Sequence, residues 1–95
     1  MESIIKTVET FFLPLTDYKL SSKNMAGGEV VFYLDDVGKK TRFEFTVELD
    51  GDYINILLKK HIEHNPYEFS FFNYLKDEKE LLLTLNFITN IYIKN

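Results

Sequence analysis

Ninety-five residues without a cysteine exclude a disulfide framework and a thiolate metal centre, and set the scale of one domain (1–95) with a modest core. A net charge of −4 and a pI near 5.1 argue against a chain-wide nucleic-acid surface while leaving local basic patches open. No apolar run reaches the roughly 18 residues that span a bilayer, and Glu2, Lys6 and Glu9 interrupt the N-terminus as a signal peptide. The expectation is a cytoplasmic protein without a membrane segment. Aromatics are heavy, nine Phe and six Tyr, against a single arginine, Arg42. With a lone alanine and abundant Lys, Asn and Ile, this composition suggests an AT-rich bacterial or phage genome.

Ser3 to Leu13 has helical spacing through Ile4, Ile5, Val8, Phe11, Phe12 and Leu15, with Ser3 as a cap and Pro14 as the stop. Thr16 to Lys23 reads as a short edge strand through Tyr18 and Leu20. Asn24 to Gly28 is a loop whose Gly27-Gly28 pair precedes a strand, so it does not cradle phosphate. Glu29 to Asp35 alternates Val30, Phe32 and Leu34. A tight turn at Gly38-Lys39, with Gly supplying positive φ, pairs Leu34 with Phe43, Phe32 with Phe45 and Val30 with Val47. Asp35 then lies opposite Arg42.

The strongest local signal is Lys40 to Lys60, two alternating runs around Asp50-Gly51. With those two residues at the tip, Val47 faces Ile54, Phe45 faces Ile56 and Phe43 faces Leu58. On the other side Glu48 meets Tyr53 and Thr46 meets Asn55. His61 to Pro66 is a loop, and Tyr67 to Leu75 is a further strand. The tail from Glu80 to Lys94 carries two conflicting signals. Asp77 and Glu80 form a capping pair, which favours helix. Leu81 to Ile93 alternates with more polar neighbours and is rich in Thr, Asn and Ile, which favours strand. The expectation is a strand of about 14 residues, ~46 Å long.

The fold class is therefore α+β: an N-terminal helix packed on a curved, mainly antiparallel meander of five to six strands. One helix of about 11 residues is only some 16 Å long. It cannot cover such a sheet, so either a surface meets a partner or the sheet curls round the helix.

Catalytic chemistry finds little support. His61, Glu63 and His64 have metal-ligand identities, but on a strand residues three apart face opposite sides, and no second cluster completes a shell. No serine lies in a strained nucleophile turn. Asp35-Asp36 and Asp50/Asp52 sit at hairpin turns, where backbone geometry favours Asp. No enzyme activity, cofactor or metal is expected.

Three functional readings follow. The first is a non-catalytic protein-binding domain, concretely a small inhibitor of the phage or mobile-element kind, anti-defence or immunity-like, that occludes a partner protein. Tyr33, Tyr53 and Tyr74 would anchor it, and Glu44, Glu48, Asp50 and Asp52 would match a basic target. Self-association into a homodimer is compatible with the same exposed aromatics. The second is an anion- or nucleic-acid-binding module using Lys39, Lys40, Arg42, Lys59 and Lys60 at one end of the sheet. The third is a small-ligand binder with a cavity between helix and sheet.

Overall fold

The computed structural model describes residues 1–36, 38–62 and 70–94. Helix α1 spans Glu2–Phe12 and is followed by strands β1 (Tyr18–Asn24), β2 (Val30–Asp36), β3 (Thr41–Asp50), β4 (Tyr53–Ile62) and β5 (Ser70–Leu75). Helix α2 (Glu78–Ile88) runs directly into a π turn, Thr89–Ile93. The strands form one open antiparallel sheet in the order β1-β2-β3-β4-β5, an α+β meander.

In α1, Ile4, Val8 and Phe12 recur at four-residue spacing and are buried, one apolar stripe on the sheet. Met1, not Ser3, is the residue that precedes the helix. The Ser3 hydroxyl instead donates to the Glu78 carboxylate of α2, and Thr7 Oγ1 donates to Glu78 Oε2 at 3.3 Å. Leu13 closes the helix with its N–H on Glu9 O, one residue before Pro14 stops it.

The β2–β3 register is the expected one, with Val30, Phe32 and Leu34 opposite Val47, Phe45 and Phe43. Its turn differs. Lys39 N bonds to Asp36 O at 3.3 Å, and the left-handed residue is Lys40, φ +53°, rather than Gly38. The β3–β4 hairpin is shifted by two residues from the sequence reading: Val47 pairs with Ile56, Phe45 with Leu58 and Asp50 with Tyr53. A shift of two keeps every side chain on its face, so the apolar match alone cannot detect it; the turn decides. A primed turn at Asp50-Gly51 would need positive φ at Asp50. Moving the tip to Gly51-Asp52 leaves that conformation to Gly51 alone, at φ +59°, a type II′ arrangement.

β5 pairs with β4 from Ser70 onward, Leu58 opposite Phe71 and Ile54 opposite Leu75. His61 and Ile62, expected to open a loop, instead continue β4 against Arg42 and Thr41; the rest of that loop and the expected strand residues Tyr67 to Phe69 lie outside the described residues.

The tail is a helix, not a strand. Asp77 Oδ1 accepts from Glu80 N at 2.9 Å and Glu80 Oε2 accepts from Lys76 N at 2.7 Å, so the capping pair outweighs the alternating pattern. Tertiary burial explains the rest. Leu81, Thr84, Leu85 and Ile88 form the face of α2 that packs inward, and the core overrides the mediocre helix propensities of Thr, Asn and Ile. A second helix thus shares the work of covering the sheet. One core contains Val8, Phe32, Phe45, Val47, Ile56, Leu58, Leu81, Leu85 and Ile88, all fully buried. No helix among the described residues is long and apolar enough to cross a membrane.

Candidate functional site on the helix-free face of the sheet

Alternation along the strands sends Val31, Tyr33 and Asp35 of β2 to the face opposite the helices. Arg42, Glu44, Thr46, Glu48 and Asp50 of β3 join them there, with Tyr53, Asn55, Leu57, Lys59 and His61 of β4. The two ends of this face differ in character.

The end beside the β2–β3 turn holds charges of both signs, with Arg42 and Asp35 paired. Arg42 Nε and Nη2 donate to Asp35 Oδ1 and Oδ2 at 2.6 and 3.0 Å, and the guanidinium lies 4.7 Å from the Tyr33 ring centroid. The hydrogen bonds to Asp35 raise the Arg42 pKa further above its ordinary value. Glu44 has Lys59 as its cross-strand neighbour, and its Oε1 lies 3.3 Å from His61 Nε2. Tyr33 and Glu44 therefore belong to this mixed-charge end, away from the other candidate anchors.

The basic residues gather at this end of the sheet, as expected, but are divided between its two faces. Lys39 and Lys40 lie in the β2–β3 turn, and Arg42 and Lys59 sit on the helix-free face. Lys60 is on the opposite face with Nζ 5.7 Å from the Phe43 ring centroid. Of the histidine cluster, Glu63 and His64 lie outside the described residues. No group of three metal-ligating side chains occurs among the described ones.

At the Gly51 end the candidate partner residues do meet. The two-residue shift sets Glu48 opposite Asn55, and Asn55 opposite Tyr74. Asn55 Nδ2 donates to Glu48 Oε1 at 3.0 Å, while Asn55 Oδ1 is buried and accepts no hydrogen bond from the described residues. Thr46, Glu48, Asn55 and Leu57 line a depression of about 150 Å³. Beside it Tyr53 and Tyr74, 49% and 51% exposed, stand edge to face with centroids 6.4 Å apart. Asp50 is the cross-strand partner of Tyr53, and exposed Asp52 occupies the turn.

The depression thus holds a carboxylate and, in Asn55, an orphan acceptor, with two aromatic rings and further negative charge beside it. A buried acceptor without a donor costs about 1–3 kcal/mol, so the depression favours a donor, best a cationic one.

Sequence reasoning missed two features. Asn55 appeared only as a neighbour of Thr46, because its role depends on the shifted register. The exposed apolar residues of the C-terminal helical segment, Leu83 and Phe87 of α2 and Ile91 of the π turn, with Leu82 on the α1 side, were hidden by reading that segment as strand; the Asp77–Glu80 pair was the signal that pointed to them.

Comparison with protein-family models, with curated proteins and with solved structures finds no match.

Proposed function

We propose that this chain is a non-catalytic protein-binding domain. Its helix-free face receives a lysine or arginine of a partner protein between Tyr53, Tyr74 and the Glu48–Asn55 pair, and binding occludes the partner's surface. The observation that carries this reading is the depression lined by Thr46, Glu48, Asn55 and Leu57, in which Asn55 carries a buried acceptor without a donor and beside which two half-exposed tyrosines stand edge to face. A cationic side chain there would pair with Glu48, lie beside the aromatic rings and, once the Asn55 amide turns outward, satisfy its buried Oδ1, the composition of an interface hot spot. Asp50 and Asp52 would steer a basic surface toward it.

Occlusion is the action that a small acidic chain of this kind can perform without chemistry of its own. The inhibitor form of the proposal, a mobile-element protein that blocks or neutralises another protein, draws its support from size and composition alone.

The test is capture of a partner by the tagged protein from the native host. The wild type is expected to retain a discrete basic protein and the Tyr53→Lys/Tyr74→Lys double variant to lose it, with unchanged circular dichroism. Lys39→Glu/Lys40→Glu is expected to retain it. Equal retention by the double tyrosine variant would refute the proposal. Capture of nucleic acid alone, abolished by added salt and by the Lys39/Lys40 changes, would instead favour the basic-end reading.

A further inference from the structure

Helix α2 is apolar on the side that faces away from the core as well as on the side that faces it. Leu82, Leu83 and Phe87, with Ile91 in the π turn, are 43%, 62%, 48% and 46% exposed, beside exposed Lys79, Asn86 and Asn90 on the outward side. Leu83, Phe87 and Ile91 recur at four-residue spacing, and Asn86 and Asn90 lie beside them. Leu82 lies on the α1 side, in a depression shared with Thr7, Thr10 and Phe11, so the outer patch consists of Leu83, Phe87 and Ile91. These three leave an apolar patch of roughly 300 Å², comparable to the largest patch on a typical monomer, which is often functional.

We propose that this crest is a homodimer interface, in which α2 of one copy packs antiparallel on α2 of a second copy about a two-fold axis near Phe87. The charge distribution selects a second copy in this orientation. The first turn of α2 is acidic, with Glu78 and Glu80 following Asp77, and neither α2 nor the π turn has a basic residue in its last turn. The nearest cation at that end is exposed Lys94.

With Phe87 opposite Phe87, Leu83 faces Ile91 and Glu80 faces Lys94 of the other copy, twice by symmetry. The helix dipoles then oppose one another favourably. A parallel pairing would bring two acidic first turns together. No charged residue lies between Glu80 and Lys94, so nothing ionic is desolvated at the centre.

The area is below the ~800 Å² per partner of standard interfaces, even with the flanking Asn86, Asn90 and Tyr92. The dimer is accordingly weak and concentration-dependent. It leaves the Tyr53–Tyr74 face open, so it stands independently of the proposed partner site.

Sedimentation equilibrium of the full chain over a range of roughly 10 µM to 1 mM, where weak interfaces of this size associate, tests the proposal. The wild type is expected to move from the 11.3 kDa monomer toward twice that mass. Phe87→Lys is expected to weaken association at least tenfold with an unchanged far-ultraviolet spectrum. Lys94→Glu should weaken it less, and more at low salt than at high salt. Because the chain has no native cysteine, Phe87→Cys is expected to form a disulfide dimer on mild oxidation much faster than Tyr53→Cys. A wild type that stays monomeric at every concentration would overturn the proposal. So would a dimer broken by Tyr53→Lys but unaffected by Phe87→Lys.

Discussion

Ile88 and Ile93, five residues apart, are both sealed in the core, at 0% and 4% exposure. A regular α-helix brings residues three or four apart onto one face, not five. The π turn resolves this: Lys94 N bonds to Thr89 O at 2.9 Å across five residues, and the one extra residue in the turn rotates Ile93 back toward the sheet. Buried Thr89 satisfies its hydroxyl on Leu85 O at 2.7 Å. Ile93 O in turn accepts from Tyr18 OH at 3.3 Å, tying the C-terminal segment to the first residue of β1.

If core spacing is what inserts the π turn, deleting Asn90 should restore a four-residue interval between the two isoleucines and convert the segment to plain α-helix. Stability is expected to stay within about 1 kcal/mol of the wild type. Deleting Leu83, the same change in length, rotates Leu85, Ile88 and Ile93 out of the core, and that variant should not fold cooperatively. Thermal melts followed by circular dichroism separate the two.

Tyr18 predicts an alkaline limit to stability. Burial first, and the charges of Asp36 and Asp17 next, hold its pKa above the ordinary 10.0. The folded state therefore keeps the proton after the unfolded chain has begun to release it. Stability is full below pH 10 and falls as pH rises above that value toward the higher folded pKa. Denaturant midpoints measured from pH 8 to 11 should decline more steeply for the wild type than for Tyr18→Phe, which has no proton to lose there.

The two hairpin turns give opposite expectations for glycine. Lys40 holds a left-handed conformation that costs an L-residue roughly 1–2 kcal/mol, so Lys40→Gly or Lys40→Asn should stabilise the protein by up to about 1 kcal/mol. Gly38→Ala should be close to neutral, since its added Cβ meets only Asp36 Oδ1, at 3.6 Å. Gly51→Ala should destabilise by about 1–2 kcal/mol, because φ +59° is strained for alanine although nothing lies within 4 Å. Chemical denaturation of the three variants checks the turn assignments directly.

Much of this fold was legible because local signals agreed with global packing. α1, the β2–β3 register and the inner faces of β3 and β4 follow from periodicity that the core then uses. The β3–β4 pairing was legible in face but not in position, since Phe45 opposite Ile56 and Phe45 opposite Leu58 are equally good apolar matches; the φ demanded of Asp50 or Gly51 separates them. The C-terminal segment misled because Leu81 to Ile93 alternates as a strand does, while its burial follows a helix with one inserted residue. The candidate site inherited both errors. Tyr53 and Tyr74 were legible as exposed aromatics, but Asn55 acquires its place beside Glu48 only in the shifted register. Tyr33 is claimed by Arg42, a contact that pairing Asp35 with Arg42 foreshadowed.

Asn55 should show a conflict between stability and function. Asn55→Leu removes a buried acceptor without a donor and fills the depression beside Leu57, so the folded state is expected to be unchanged or more stable by up to about 1 kcal/mol. Partner capture should nevertheless be lost. Weaker folding with intact capture would contradict the role assigned to Oδ1.

The central claim, that the Tyr53–Tyr74 end receives a basic side chain, is tested most directly by nuclear magnetic resonance. The ¹⁵N-labelled protein is titrated with a short arginine-containing peptide and, in parallel, with its glutamate counterpart. The account predicts saturable shifts of the Asn55 side-chain amide and of the backbone amides of Glu48, Tyr53 and Tyr74 with the arginine peptide alone. Shifts that are absent there, or that fall instead on Lys39, Lys40 and Arg42 with the acidic peptide, would contradict it.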